Sequence, residues 1–364
     1  MKLCDIHLRD PFVYAEDGVY YLYGTRRGAT TKVIPWQGLD VYTSTDLVEW
    51  SEPHECFTRP DDFWSDRDFF APEVYKYKGA YYMFASFRSE TRLRCSQILK
   101  SDSPMGPFLP LTDSPITPEE WVCLDATFYV DEEGTPWTAF CHEWTQVGDG
   151  TIEIMPLTPD LTAPAGQPKT VLRAGDAEWS YSLVDPTSRN YVTDGPFFRK
   201  GKNGKLYMLW SGFHAGPQYW YVQALAISDS GSIQGPWRHA DKFIYDEDGG
   251  HGMLFDGFDG NLYLILHSTN VPPNERPRLF MVKETNMVYP DLQTALSEAA
   301  DGQTVVLLVS GVMPDSSGKP DCKITVPSGK KLLLPYDGTH LFRSVPKEYT
   351  LDDMNLNRND WPKA

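Results

Sequence analysis

Three aspartates and a histidine stand at matching points in segments that open alike: Asp10-Pro-Phe-Val-Tyr, Asp125-Ala-Thr-Phe-Tyr, Asp194-Gly-Pro-Phe-Phe and His251-Gly-Met-Leu-Phe. A fifth segment, Ala71-Pro-Glu-Val-Tyr, has an alanine at that point and carries its acid, Glu73, two places later. Carboxyl groups drawn together from separate segments can divide the work of general acid and general base when their surroundings drive their pKa values apart. Cleavage of a glycosidic bond needs such a pair. One carboxyl protonates the leaving oxygen and the other activates water or attacks; the two stand roughly 6.5–9.5 Å apart when the anomeric centre inverts and about 5–5.5 Å apart when it is retained.

What must position them is a repeated element. Each segment runs into a turn with glycine (Gly18, Gly79, Gly134, Gly204, Gly260) and then into an apolar run such as Val19-Tyr-Tyr-Leu-Tyr, Ala80-Tyr-Tyr-Met-Phe or Leu262-Tyr-Leu-Ile-Leu. The unit recurs about every 50–70 residues, the spacing of propeller blades rather than of helical solenoids. Third strands are expected at Leu39–Ser44, Cys95–Ser101 and Val222–Ser228, since period-two alternation bounded by Gly and Pro turns reads as strands and hairpins. In a propeller the first strand of each blade lines the central channel. The expected fold is therefore an all-β, five-bladed β-propeller, with Asp10, Asp125, Asp194 and His251 at one mouth. A funnel of that kind holds carboxylates from different blades across a sugar-sized gap, which suits the wider, inverting separation.

The propeller is expected to occupy residues 1–288. Residues 289–364 change character: Tyr289–Ala300 reads as one amphipathic helix, and Thr304–Val309, Lys323–Val326 and Lys331–Pro335 as strands. This small extension of mixed helix and strands is either packed on the propeller or a partial β-rich module.

Composition narrows the partners. The net charge of −17 and pI near 4.8 repel phosphate backbones, so nucleic acid is excluded as a partner, and no apolar run approaches the length of a membrane-crossing helix. The 11 Trp and 20 Tyr suit pleated, half-buried surfaces and also the stacking of sugar rings. Several of them, including Trp36, Trp64, Trp121 and Trp144, fall in long loops between blades, where specificity resides in such scaffolds. The six cysteines are scattered, with no metal-ligand spacing, and Met1-Lys-Leu-Cys-Asp lacks the apolar core of a signal peptide. The expectation is a cytoplasmic protein, with secretion after signal removal as the alternative.

Five motifs in order, Arg9-Asp-Pro-Phe-Val, Phe69-Phe-Ala-Pro-Glu-Val, Leu124-Asp-Ala-Thr-Phe, Thr193-Asp-Gly-Pro-Phe and Gly250-His-Gly-Met-Leu-Phe, resemble glycoside hydrolase family 43, the five-bladed arabinofuranosidases, xylosidases and arabinanases. The resemblance spans about residues 5–285. It implies an inverting glycosidase acting on α-L-arabinofuranosidic or β-D-xylosidic bonds of plant-wall oligosaccharides or polysaccharides. Asp10 would be the general base, Asp125 the group that tunes and orients the acid, and Asp194 the general acid. No cofactor is required for the chemistry. His251 would lie near the channel axis, where many relatives hold a hydrated cation, often calcium; one histidine is a poor zinc site, whereas a hard cation keeps its waters.

Asp194 departs from the family, which usually has glutamate there, so the carboxyl is drawn back by one methylene. Either Asp194 is still the acid, or Glu178 reaches in from the preceding loop, or the propeller binds carbohydrate without cleaving it. Glu73 reads as a buried structural acid or as a ligand for a sugar hydroxyl. Trp179, Trp210 and Phe213 are the candidate stacking residues. His267 and Arg278 are candidate substrate ligands, the latter because its planar fork suits hydroxyl recognition. Arg9 and Asp10 are adjacent in a strand and are expected to point opposite ways.

Overall fold

The computed structural model describes residues 1–26, 37–185, 187–201, 203–215, 220–240 and 243–285, together with short strands between 304 and 349. Blade one is β1 (Leu8–Glu16), β2 (Val19–Arg26), β3 (Gly38–Ser44) and β4 (His54–Thr58). Blade two is β5 (Arg67–Tyr77), β6 (Ala80–Arg88), β7 (Cys95–Ser101) and β8 (Leu109–Pro110), and blade three is β9 (Cys123–Val130), β10 (Pro136–His142), β11 (Thr151–Pro156) and β12 (Lys169–Arg173). Blade four is β13 (Asp194–Lys200), β14 (Leu206–His214), β15 (Trp220–Ser228) and β16 (Trp237–His239), and blade five opens with β17 (Gly249–Asp256), β18 (Leu262–Ser268) and β19 (Arg276–Thr285). Within each blade the strands are antiparallel and in chain order. The fold is the five-bladed β-propeller expected from the repeat.

The second strands explain the apolar runs. From Ala80 to Phe87 every residue of β6 is buried, because this strand is covered by the neighbouring blade on each face. A strand covered on both faces loses the alternation of a half-exposed one. Large apolar side chains that leave water in this way contribute about 1.5–3 kcal/mol each. At the far end of blades one and two, Asp17-Gly18 and Lys78-Gly79 both take positive φ, the two-residue turn whose twist matches the flanking strands.

The ring is closed near the N-terminus. Trp50 and Met1 exchange backbone hydrogen bonds, Arg276 on β19 donates to the Cys4 carbonyl and contacts His7, and Ile6 is buried. A strand β20 (Thr304–Val309) lies parallel to β19, and Lys331–Pro335 is a further strand. The expected helix at Tyr289–Ala300 and the loop residue Trp36 lie outside the described residues.

Candidate active site

Each inner strand breaks register at the same place: between Arg9 and Phe12 on β1, Phe70 and Glu73 on β5, Asp194 and Phe197 on β13, and Gly250 and Met253 on β17; β9 does so opposite Ala139 and Cys141. At each break one residue takes left-handed backbone: Asp10, Ala71, Asp125, Gly195 and His251, with φ between 47° and 57°. Such bulges re-aim side chains, and Asp and His tolerate this conformation better than most residues.

Two expectations change here. Gly195, not Asp194, is the blade-four counterpart of Asp10 and Asp125, so Asp194 stands one residue earlier. Arg9 and Asp10 do meet, Nε to Oδ1 at 3.5 Å, because the bulge undoes the opposition that a regular strand would impose.

The bulges are joined from blade to blade. The freed amide of four of the five left-handed residues is satisfied by a side chain of the preceding blade's second strand. Ala71 N–H donates to Thr25 Oγ1 (2.7 Å), Asp125 N–H to Ser86 Oγ (2.8 Å), His251 N–H to Ser211 Oγ (2.7 Å) and Asp10 N–H to His267 Nδ1 (3.2 Å). In blade three the corresponding second-strand residue, paired with Leu124, is Cys141. There the Gly195 N–H turns instead to the carboxylate of Asp125, at 3.1 Å to Oδ2. One link of the ring is thus made by a candidate catalytic group, which fixes Asp125 beside Asp194.

The three carboxyls have different surroundings. Asp10 is buried, which opposes ionisation, but His251, Arg9 and a 2.6 Å hydrogen bond from Thr25 Oγ1 outweigh that and hold it well below the usual carboxylate range. Burial, and then the charge of Asp10, push Asp125 up to about 8. Burial, and then Asp125, push Asp194 up to about 7. Both members of the pair are raised, and the pair holds a proton near neutrality. Asp194 is the least buried of the three. His251 lies among them, its Nδ1 3.2 Å from Asp10 Oδ1 and 3.7 Å from Asp125 Oδ2.

His267 joins the group as a neutral ring. Its Nδ1 accepts from the Asp10 amide, so the proton sits on Nε2, facing Asn270 Oδ1 at 3.2 Å; burial lowers its pKa to about 3. Glu73 is buried like its neighbours. Burial raises it to about 8, and Tyr75 donates to its Oε2 at 2.5 Å while also contacting Thr127. Tyr75 in turn packs on Phe12 and Phe128, so the Glu73 carboxyl is held by a tyrosine that is itself fixed by aromatic neighbours.

The remaining candidates separate. Trp210 is 0% exposed, so it offers no face to a sugar; Trp179 stacks on it at 5.0 Å and is partly exposed. Phe213 is partly exposed and packs at 5.1 Å on Tyr221. Arg278 is exposed on the third strand of blade five, opposite Leu266 and beside Tyr245. Glu178 is exposed.

Two residues at the site escape a reading of motifs. Arg9 is a permanent cation there and also lies 3.6 Å from buried Glu275. Tyr221, on the third strand of blade four, donates to Asp194 Oδ2 at 3.1 Å. Gly250 makes room for it, since a Cβ there would stand 2.8 Å from the tyrosine ring.

The cation expected near His251 finds little protein to hold it. Among the described residues no three His, Cys, Asp or Glu side chains form a metal cluster, and one nitrogen of His251 already faces Asp10. A cation held here would have to keep most of its own waters, with His251 as the residue to hold it.

Residues 4–287 match the family model described as glycosyl hydrolases family 43. The chain is 27% identical over 298 residues to the extracellular endo-α-(1→5)-L-arabinanase 1 of Bacillus subtilis strain 168, covering 75% of this chain and 84% of that protein. Among solved structures, an endo-arabinase from Bacteroides thetaiotaomicron VPI-5482 is 36% identical, with a TM-score of 0.71 over 79% of this chain and 98% of that one. An endo-1,4-β-xylanase from the same bacterium is 26% identical, with a TM-score of 0.62 over 77% and 92%. The expectation of a cytoplasmic protein is overturned by the extracellular Bacillus relative, which points to secretion. That expectation leaned on unpaired cysteines, and Cys56, Cys95, Cys123 and Cys141 are buried; an enclosed thiol stays unpaired in either compartment.

Proposed function

Because this chain belongs to glycosyl hydrolases family 43, whose members cleave glycosidic bonds, we propose that it is a secreted, inverting hydrolase of α-(1→5)-linked L-arabinofuranosyl chains. The substrate follows the printed activities of the arabinan-cleaving relatives; a β-D-xylosidic substrate is the second reading, favoured by the xylanase. The observation that carries the reading is the opposite displacement of two carboxyls that share His251 and Arg9 as neighbours: Asp10 is held ionised, and Asp194 is raised to about 7.

In this reading a water on one face of the sugar gives its proton to Asp10 as its oxygen bonds to the anomeric carbon. The bond to the leaving oxygen breaks on the other face, and that oxygen takes the proton of Asp194. A carboxylate as weakly basic as Asp10 suffices, because water attacking a cation-like centre becomes strongly acidic in the transition state. Asp125, pinned by the Gly195 amide, shares a proton with Asp194, and the pair begins to give it up only as pH rises through about 7. A hydrated cation on His251 would supply positive charge at the axis, and no step depends on it.

Hydrolysis of linear arabinan, xylan and the p-nitrophenyl α-L-arabinofuranoside and β-D-xyloside is the test, with wild type, Asp10→Asn, Asp194→Asn and Glu178→Gln side by side. Asp10→Asn is expected to lose roughly 10²–10⁴-fold on every substrate cleaved. Asp194→Asn is expected to lose far more on arabinan than on the aryl glycoside, whose leaving group needs little protonation. Activity should fall as pH rises through about 7, where Asp194 loses its proton. A first-formed product of retained configuration by NMR sinks the inverting mechanism, and a wild type inert on all four leaves a carbohydrate-binding propeller.

A further inference from the structure

We infer that Tyr221 is the positioning residue that makes the short side chain of Asp194 a directed proton donor, by occupying Oδ2 and leaving the transferable proton on Oδ1. This rests on Asp194 being the acid. The tyrosine hydroxyl lies 3.1 Å from Asp194 Oδ2, and its ring is fixed on several sides. His267 stacks on it at 5.5 Å and 19°, Phe213 packs at 5.1 Å, and the hydrogen-only side of Gly250 lets it pass. Tyr221 is 0% exposed, so water does not compete for its O–H.

A protonated carboxyl has one oxygen that donates and one that accepts. Holding a donor at Oδ2 makes that oxygen the acceptor. The proton on Oδ1 then passes to the leaving glycosidic oxygen, which keeps the electron pair of the broken C–O bond. The carboxylate left behind is already hydrogen-bonded by the tyrosine, so no group has to reorganise as charge appears. Two side-chain torsions instead of glutamate's three, plus one fixed hydrogen bond, leave Asp194 little freedom to turn its proton away.

The test compares wild type, Tyr221→Phe and Asp194→Asn on arabino-oligosaccharides and on p-nitrophenyl α-L-arabinofuranoside. Tyr221→Phe is expected to lower kcat on the oligosaccharides on the order of tenfold, with KM nearly unchanged. The aryl glycoside should be affected much less. The alkaline limb of its pH profile should move upward, because removing a donor to the carboxylate favours the protonated form. Equal losses on both substrates, or an unmoved limb, overturn the inference. If Asp194→Asn discriminates between the leaving groups and Tyr221→Phe does not, Tyr221 alone is misassigned; if neither discriminates, the acid is misassigned too.

A readout free of turnover is the infrared carbonyl band of protonated Asp194, identified by its loss in Asp194→Asn. In Tyr221→Phe that band should rise in frequency and persist to higher pH. A band unchanged in both respects also overturns the inference.

Discussion

Three aspartates with the same side chain are given different work by what touches them. Asp10 has Arg9, His251 and Thr25 against it, whereas Asp194 has Asp125 and a tyrosine hydroxyl. The motifs made Asp10, Asp125 and His251 legible, because a charged residue recurring at one point of a repeat marks one mouth. Tyr221 and Arg9 were not legible: the first reaches the site from a third strand, and the second points there only because a bulge reverses it. Trp210, 0% exposed, was misplaced for the complementary reason, since strand and motif say little about which face a side chain takes.

Glu73 allows a prediction at the same scale. Its folded pKa is about 8 against an ordinary 4.5, so the folded state holds a proton that the unfolded state gives up between those values. The contribution is full below about pH 4.5 and fades as pH rises through 8. Glu73→Gln, which does not titrate, should therefore gain on wild type between pH 5 and pH 8 by a few kcal/mol at most, on the order expected from linkage. Urea melts at the two pH values measure it, and an equal difference at both contradicts the raised pKa.

At the scale of the element, the five bulges do the positioning. Gly195 is the one that admits no side chain: its φ is +51°, and a Cβ would stand 2.7 Å from His251 Cδ2. Gly195→Ala should cost about 1–3 kcal/mol of stability and displace His251, with activity falling alongside; unchanged urea melts count against the strain. Cys141 tests the irregular link. Cys141→Ser offers the hydroxyl that other blades use, so the Gly195 amide is expected to turn to it and release Asp125. Activity on oligosaccharides should drop on the order of tenfold, as befits one hydrogen bond to a charged group, while the melting temperature holds or rises. Full activity in Cys141→Ser means that the amide is not what sets Asp125. None of this was visible in the sequence, where Cys141 sits in an apolar run like any other core residue.

The whole molecule was the most legible scale. Five repeats with a glycine turn and an aromatic-rich second strand leave few folds available, and the outer strands follow once the inner ones are placed. Closure of the ring was less so, because it depends on contacts between distant ends such as Arg276 with Cys4 and His7. Ile6, 1% exposed in that seam, should cost about 2–5 kcal/mol when changed to alanine. Thermal melts should register this with no shift in the pH profile of activity; a shifted profile would tie the seam to the carboxyls. The five left-handed positions have a consequence of another kind. Four of the bends are held by neighbouring hydroxyls and a ring, and only that of Gly195 by the Asp125 carboxyl, so at the other four the mount and the reagent are separate atoms. Asp10, Asp125 and His251 fill three places, the His251 ring closes the place of Gly195, and Ala71 leaves one blank. A propeller of this design works like a tool holder, in which exchanging one side chain changes the chemistry offered to a sugar while the holder keeps its shape.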